Sequence, residues 1–424
     1  MISFPEDFLW GTGTSAHQVE GGNDANDWWA WEHADTQREP SGNACKHYEL
    51  FGKDFDLAAS LHHRAHRFSL EWSRIEPEEG EFSSEELDHY RDVLIALQER
   101  KIEPVVTLHH FTTPLWLSRR GGWAHERAPE LFTRFTAKAV GHLGERVRFW
   151  VTINEPLVYS YYAYAAGIWP PGERSFARAQ HVTAQFIRAH TAAYRLIHRL
   201  YRKRGWQRPM VTIAKNLQPF YPCRRTIRNR LACALRDDRF NWRVLRHLVR
   251  ARSLDIIGVN YYTRGVVDTR SWRWSSLLTG GCERDHHDLP QNTLGWDIYP
   301  EGLYEVLCAA GRFGLPLFIM ENGICTEDDL QRWDFIRRHL LSIARARQRG
   351  VEVIGYLYWS LLDNFEWAEG FGPRFGLIEV DYATQERRIR ESALRFGEVC
   401  ASGTVKAAGP VRELKFSRGE IRNR

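Results

Sequence analysis

The feature that most constrains this chain is a recurrence. Eight short runs rich in β-branched and aromatic residues, at 8–18, 65–71, 104–110, 148–154, 210–216, 256–262, 316–321 and 353–360, alternate with longer stretches. In the stretches at 84–101, 131–143 and 330–348, apolar residues fall three or four apart, the spacing of an amphipathic helix. Glycines stand where helices should stop, at Gly311 and Gly314 before the seventh run and Gly350 before the eighth. Strands alternating with helices make a parallel sheet, and eight of them predict closure into a (β/α)8 barrel of the α/β class. Such barrels commonly exceed the usual domain length, so the 424 residues are read as one domain over 1–402 with a basic polar tail over 403–424.

Composition narrows the function classes. A hydrophobic fraction of 43% with 26% charged residues is that of an ordinary globular protein. Seven scattered cysteines show neither a disulfide framework nor metal-type CxxC spacing, so reduced thiols in a cytoplasmic protein are expected. No basic leader with an apolar core opens the chain, and no run approaches membrane-spanning length. Ten arginines fall within 224–252 among Leu231, Leu235, Trp242, Leu245 and Leu248. We read that segment as a helix pair outside the barrel with a solvated arginine face. An anionic surface, membrane headgroup or nucleic acid, is the secondary reading. No nucleic-acid motif accompanies it. Gly11-Thr12-Gly13 lacks the third glycine and following helix of a dinucleotide fingerprint.

In a barrel of this kind the strand ends at the C-terminal face build the active site. Here the runs end on Gln18, Glu71, His110, Asn154-Glu155, Asn260-Tyr261-Tyr262, Glu321-Asn322 and Trp359. Glu155 and Glu321 each follow a strongly apolar strand, the fourth and the seventh, on opposite walls. A buried unpaired carboxylate is costly, so two of them facing each other favour a catalytic pair. Paired carboxylates suit cleavage of a glycosidic acetal, in which one group protonates the departing oxygen and the other attacks or stabilises the anomeric carbon. Retaining enzymes hold the pair about 5–5.5 Å apart and inverting ones about 6.5–9.5 Å. His109 and His110 are adjacent on a strand and point to opposite faces, so only His110 should face the pocket and no metal pair is expected.

These residues resemble glycoside hydrolase family 1, the β-glucosidase and β-galactosidase family. The matching motifs are Phe8-Leu9-Trp10-Gly11 through Gln18-Val19-Glu20-Gly21, His66-Arg67-Phe68-Ser69, Thr107-Leu108-His109-His110-Phe111, Thr152-Ile153-Asn154-Glu155-Pro156, Gly258-Val259-Asn260-Tyr261-Tyr262, Glu321-Asn322-Gly323 and Trp359 through Trp367. They follow family order over roughly residues 4–395. The resemblance implies a retaining, exo-acting β-glycosidase with no cofactor or metal, in which Glu321 is the nucleophile and Glu155 the acid/base. It places Arg67 and Tyr262 beside Glu321, where both favour its ionised form. Asn154 would hold the sugar 2-hydroxyl, and Gln18, His110 and Glu366 the other hydroxyls. Trp359 would form the stacking floor and Trp367 the rim, with Tyr262 also touching substrate. A carboxylate at Glu366 would repel a 6-phosphate, which favours unphosphorylated β-D-glucosides, with galactosides or fucosides as further substrates. The implied partner is a small β-glycoside or oligosaccharide rather than nucleic acid, and a monomer or homo-oligomer is compatible with it. A transglycosidase acting on glycolipids would use the same intermediate, and a sugar-binding protein on a retired barrel is a non-enzymatic alternative. The chain departs from the family at Asp27-Trp28-Trp29-Ala30-Trp31-Glu32, at Thr112-Thr113 and at Gly167-Ile168-Trp169-Pro170-Pro171-Gly172, all expected in loops at the barrel mouth.

Overall fold

The computed structural model describes residues 1–269 and 289–406. Eight parallel strands close a barrel: β1 (Leu9–Gly13), β2 (Ala65–Ser69), β3 (Glu103–His109), β4 (Phe149–Asn154), β5 (Met210–Asn216), β6 (Ile257–Asn260), β7 (Leu317–Asn322) and β8 (Val353–Trp359). Each pairs with the next in sequence, and β8 returns to β1. Each overlies one of the eight expected runs. The first run holds more than a strand, because after β1 the chain leaves the sheet for a four-residue helix, Ala16–Val19, that carries Gln18.

The helices begin where local chemistry caps them. Ser83 accepts from the Glu86 N–H at the head of Ser84–Glu99, Ser175 from Arg178 at the head of Phe176–Arg204, and Asp328 from Leu330 and Gln331 at the head of Asp329–Gln348. Their apolar faces lie on the outside of the barrel. That outer core takes alternate strand residues such as Trp10, Leu108, Trp150 and Ile319. The other set, including Ala65, Val105, Phe149, Val151, Phe318 and Met320, fills the barrel interior. Closure depends on Gly11, where a Cβ would fall 1.7 Å from the Ala65 carbonyl oxygen on β2.

Three expectations need correction. Residues 224–252 are not a helix pair, since Ile227–Arg236, a π-helical turn at Asp237–Trp242, and Arg243–Arg250 follow one another without a break. Nor is their arginine set wholly solvated: Arg236 is buried, and with Arg239 it lines the central cavity. Cys223 is disulfide-bonded, so the thiols are not uniformly reduced. Thr404–Val405 pair antiparallel with Ile2–Ser3, so the folded unit runs past residue 402. The rest of the expected tail, 407–424, lies outside the described residues. Among the described residues, no helix is long and apolar enough to cross a membrane.

Candidate active site

One cavity of about 940 Å³ opens at the C-terminal ends of the strands. Gln18, His110, Asn154, Glu155, Tyr262, Glu321, Trp359, Glu366 and Trp367 all line it. Arg67 lies fully buried beneath it. The residues assigned catalytic, nucleophile-tuning or sugar-binding roles from the sequence therefore meet at one place. Glu71, another strand-end acid, does not join them. It caps the short helix Trp72–Ile75 and accepts from Ser73 and Thr112.

Strict alternation would not bring Glu321 here. On β7, Phe318 and Met320 point inward and Ile319 outward, so Glu321 should point outward too. The register against both neighbouring strands shifts after Ile319, and that irregularity turns Glu321 into the cavity. Asn322 instead faces outward, donating to the Tyr261 carbonyl at 2.7 Å and accepting from Tyr356 at 3.0 Å. On β4 a shift between Val151 and Asn154 leaves Ile153 in the outer core and Asn154 inside. Glu155 follows in the left-handed region, φ 42° and ψ 58°. Pro156 disfavours the right-handed helical conformation at the residue before it, and the Glu155 N–H is pinned to the Ala214 carbonyl at 2.8 Å. A non-glycine residue held there stores strain where function needs a fixed side chain. Gly323 serves the opposite wall, since a Cβ there would lie 1.9 Å from the Trp359 carbonyl oxygen.

The two carboxylates have unlike surroundings. Arg67 donates from Nη1 to Oε1 of Glu321, and the Tyr262 hydroxyl donates to Oε2 at 2.6 Å. Arg67 also donates from Nη2 to Asn154 Oδ1 at 2.8 Å and from Nε to Thr107 at 2.9 Å, so its orientation is fixed on three sides. Among the described residues, no cation is bonded to Glu155. Its Oε1 accepts from Asn260 at 2.8 Å and Asn216 at 3.1 Å. Burial, and then the nearby Glu321 charge, push Glu155 from its ordinary 4.5 up to about 7, against the pull of those two amides and of Lys215. Glu366 is pushed to about 8 by burial and by Glu321 and Glu155.

The polar floor is tightly organised. Gln18 donates to Asn364 at 2.9 Å, the Phe365 carbonyl at 2.8 Å and Glu366 at 3.3 Å, and accepts from Ser15 at 2.7 Å. His110 Nε2 lies 3.1 Å from the Asn154 amide nitrogen, and burial holds the ring neutral, well below the usual histidine range. His109 faces away, accepting from Trp123 Nε1 at 2.9 Å. Among the described residues no cluster of metal-binding side chains occurs.

Trp367 is a buried wall rather than an exposed rim, packed on Trp28 at 4.7 Å and Phe111 at 5.2 Å. The departures from family pattern explain that wall. Trp28 stands on the helix Asp27–His33, Trp169 packs against Trp28 at 5.5 Å, and the Thr113 N–H donates to Asp27 at 2.8 Å. Sequence reasoning passed over Asn216, Lys215 and Phe240. Asn216 closes β5, and its position at a barrel strand end was the available signal. Lys215 is fully buried, 4.1 Å from the Phe240 ring centroid, and burial lowers it to about 7. No local pattern marks either of that pair.

Comparison with known proteins agrees with this site. The family described as "Glycosyl hydrolase family 1" matches residues 1–251 and 245–404. A 1,4-beta-D-glucan glucohydrolase of Thermotoga neapolitana is 30% identical over 94% of this chain and 98% of its own. A beta-galactosidase of Sulfolobus acidocaldarius is 32% identical over 96% of each chain. The solved structure of a beta-glycosidase from Pyrococcus horikoshii superposes with a TM-score of 0.90 at 41% identity, again over 96% of each chain. With the barrel, the cavity and its two carboxylates in place, this chain belongs to glycosyl hydrolase family 1 and is a β-glycosidase.

Proposed function

We propose that the protein hydrolyses terminal, unphosphorylated β-D-glucosides, and the related galactosides or fucosides, by double displacement. A Glu321 oxygen attacks the anomeric carbon, the bond to the aglycone oxygen breaks, and the Glu155 proton passes to that oxygen. In the second step Glu155 takes a proton from water, the water oxygen bonds to the anomeric carbon, and the Glu321 carboxylate is released. The observation that carries this reading is the contrast between the acids. Glu321 sits against a guanidinium and a phenol, which complement a negative charge, while Glu155 is held near 7 and can keep a proton at neutral pH.

Asn154, gripped by Arg67 and Asn260, is suited to the sugar 2-hydroxyl. Gln18, His110 and Glu366 offer bonds to the other hydroxyls, and the Trp359 and Trp367 rings offer apolar faces. Glu366 near 8 carries a proton at neutral pH, so the negative charge that disfavours a 6-phosphate comes less from Glu366 itself than from the carboxylates around it. The groups acting most strongly on it are three carboxylates and the Gln18 amide. The relatives' names describe hydrolysis, which does not favour glycosyl transfer as the main activity. A cytoplasmic setting is supported by five free thiols among the described residues, with the disulfide at Cys223 weighing against it.

A panel of aryl β-glycosides run in aqueous methanol tests the proposal. Retention yields the β-methyl glycoside alongside free sugar. An α-methyl product, or no turnover on any member, overturns it.

A further inference from the structure

The cavity is larger than one sugar ring needs, and its outer half differs in chemistry from its floor. The aglycone leaves on the Glu155 side, because Glu155 protonates the departing oxygen. Just beyond Glu155 the chain forms a π-helical turn, Ser160–Ala166, and the second π-helical turn, Asp237–Trp242, lines the same cavity. Such turns are rare and concentrate at functional sites. The first brings Tyr161 and Tyr162 to the cavity, the second Arg239 and Phe240, and Arg236 lies one residue before it. Burial of Tyr162 is accompanied by an electrostatic contribution from Glu155, and Arg236 feels Tyr161. The two turns therefore share one space next to the acid/base.

That space has an apolar lip. Tyr161, Ile168 and Phe176 line the cavity yet are 37%, 48% and 40% exposed. Large apolar side chains left open around a pocket mark a surface that a ligand covers. Behind the lip stand the arginines. The acids flanking Arg239 in sequence are engaged elsewhere: Asp237 accepts from Asn241 at 2.7 Å and Trp242 at 2.8 Å, and Asp238 is ion-paired with Arg246. Arg264, the third arginine on the cavity among the described residues, is satisfied by Asp297 at 2.7 Å. Glu369, on the turn Trp367–Glu369, also lines the mouth and its charge acts on Tyr162.

We infer that the aglycone subsite takes an apolar, aromatic-type aglycone bearing an anionic group, with Tyr161, Tyr162, Phe240 and Ile168 holding its body and Arg239 receiving the anion. This rests on the glycosidase reading above. A guanidinium offers two donors in a planar fork to a carboxylate, and a half-buried cation is screened less than one in open water.

The test uses the whole protein and paired substrates, 4-carboxyphenyl and 4′-carboxybiphenyl β-D-glucosides, each with its neutral methyl ester. Hydrolysis of the esters by the wild type reports the glycosidase reading alone. The ratio of kcat/KM for acid over ester reports the inference. In Arg239→Gln that ratio should fall about five- to tenfold for at least one pair, as expected for loss of a charged hydrogen bond partly screened by solvent, while ester turnover stays within about twofold. Arg239→Lys should restore part of the ratio, and raising salt should lower it in the wild type but not in Arg239→Gln. A ratio that stays unchanged for both pairs, or acid and ester falling in parallel, overturns the inference even if the esters are turned over well.

Discussion

Asn260 Nδ2 lies 2.8 Å from Glu155 Oε1 and 3.2 Å from Asn154 Oδ1, so one amide ties the proposed proton donor to the residue beside the proposed nucleophile. Since Arg67 bonds both Asn154 and Glu321, the two walls of the cavity are linked by side chains alone. This link predicts how the pH profile answers to mutation. The Asn260 bond favours the charged form of Glu155, so Asn260→Ala should raise the Glu155 pKa and move the alkaline limb of kcat/KM upward from about 7. A limb that stays put or moves down contradicts the assignment of that limb to Glu155.

Replacing Glu321 with Gly should lower turnover by a factor on the order of 10⁴ or more, since the group that bonds to the anomeric carbon is gone. Azide should restore activity and give an α-glycosyl azide, read by proton NMR. A β-azide would assign the opposite role.

With Glu155→Ala the first step should survive for substrates with good leaving groups, and a glycosyl-enzyme should accumulate because no base activates water. Pre-steady-state release of dinitrophenol should show a burst. Equal loss on good and poor leaving groups would remove Glu155 from the acid/base role.

Tyr262→Phe removes the 2.6 Å hydrogen bond to Glu321 and little else. A drop in kcat/KM of about ten- to a hundredfold is expected, roughly 1.4–2.7 kcal/mol, in line with a bond to a charged acceptor. Thermal unfolding should change little. Arg67→Met is expected to be more severe, because it leaves Glu321 buried without its cation, and stability should fall by about 3–5 kcal/mol. Chemical denaturation of both variants checks the contrast.

The raised pKa of Glu155 also has a stability consequence. Its proton is held more tightly in the folded state, from an ordinary 4.5 to about 7, so the folded form loses stability as pH rises through that window. Glu155→Gln should therefore gain in Tm relative to wild type as pH climbs from about 4.5 to 7 and hold the gain above it. A difference in Tm that is flat across this range would contradict the shift.

Much of this protein is written locally. The positions of eight strands follow from short β-branched and aromatic runs between helical periods, because hydrophobic spacing and caps such as Ser83 and Asp328 act over a few residues. The gathering of Glu155, Glu321, Asn154 and His110 at one end of the barrel follows from their places at strand ends. What the sequence by itself could not determine is which way those ends turn. Alternation along β7 directs Glu321 outward, and only the register shift against β6 and β8 brings it into the cavity. The same holds for Asn154 on β4, for the left-handed backbone at Glu155, and for the approach of Lys215, Phe240 and Arg239 from distant segments. Register and close approach depend on how neighbouring strands fit around a closed ring. That fit is set by contacts between residues far apart in the chain, so no local pattern encodes it.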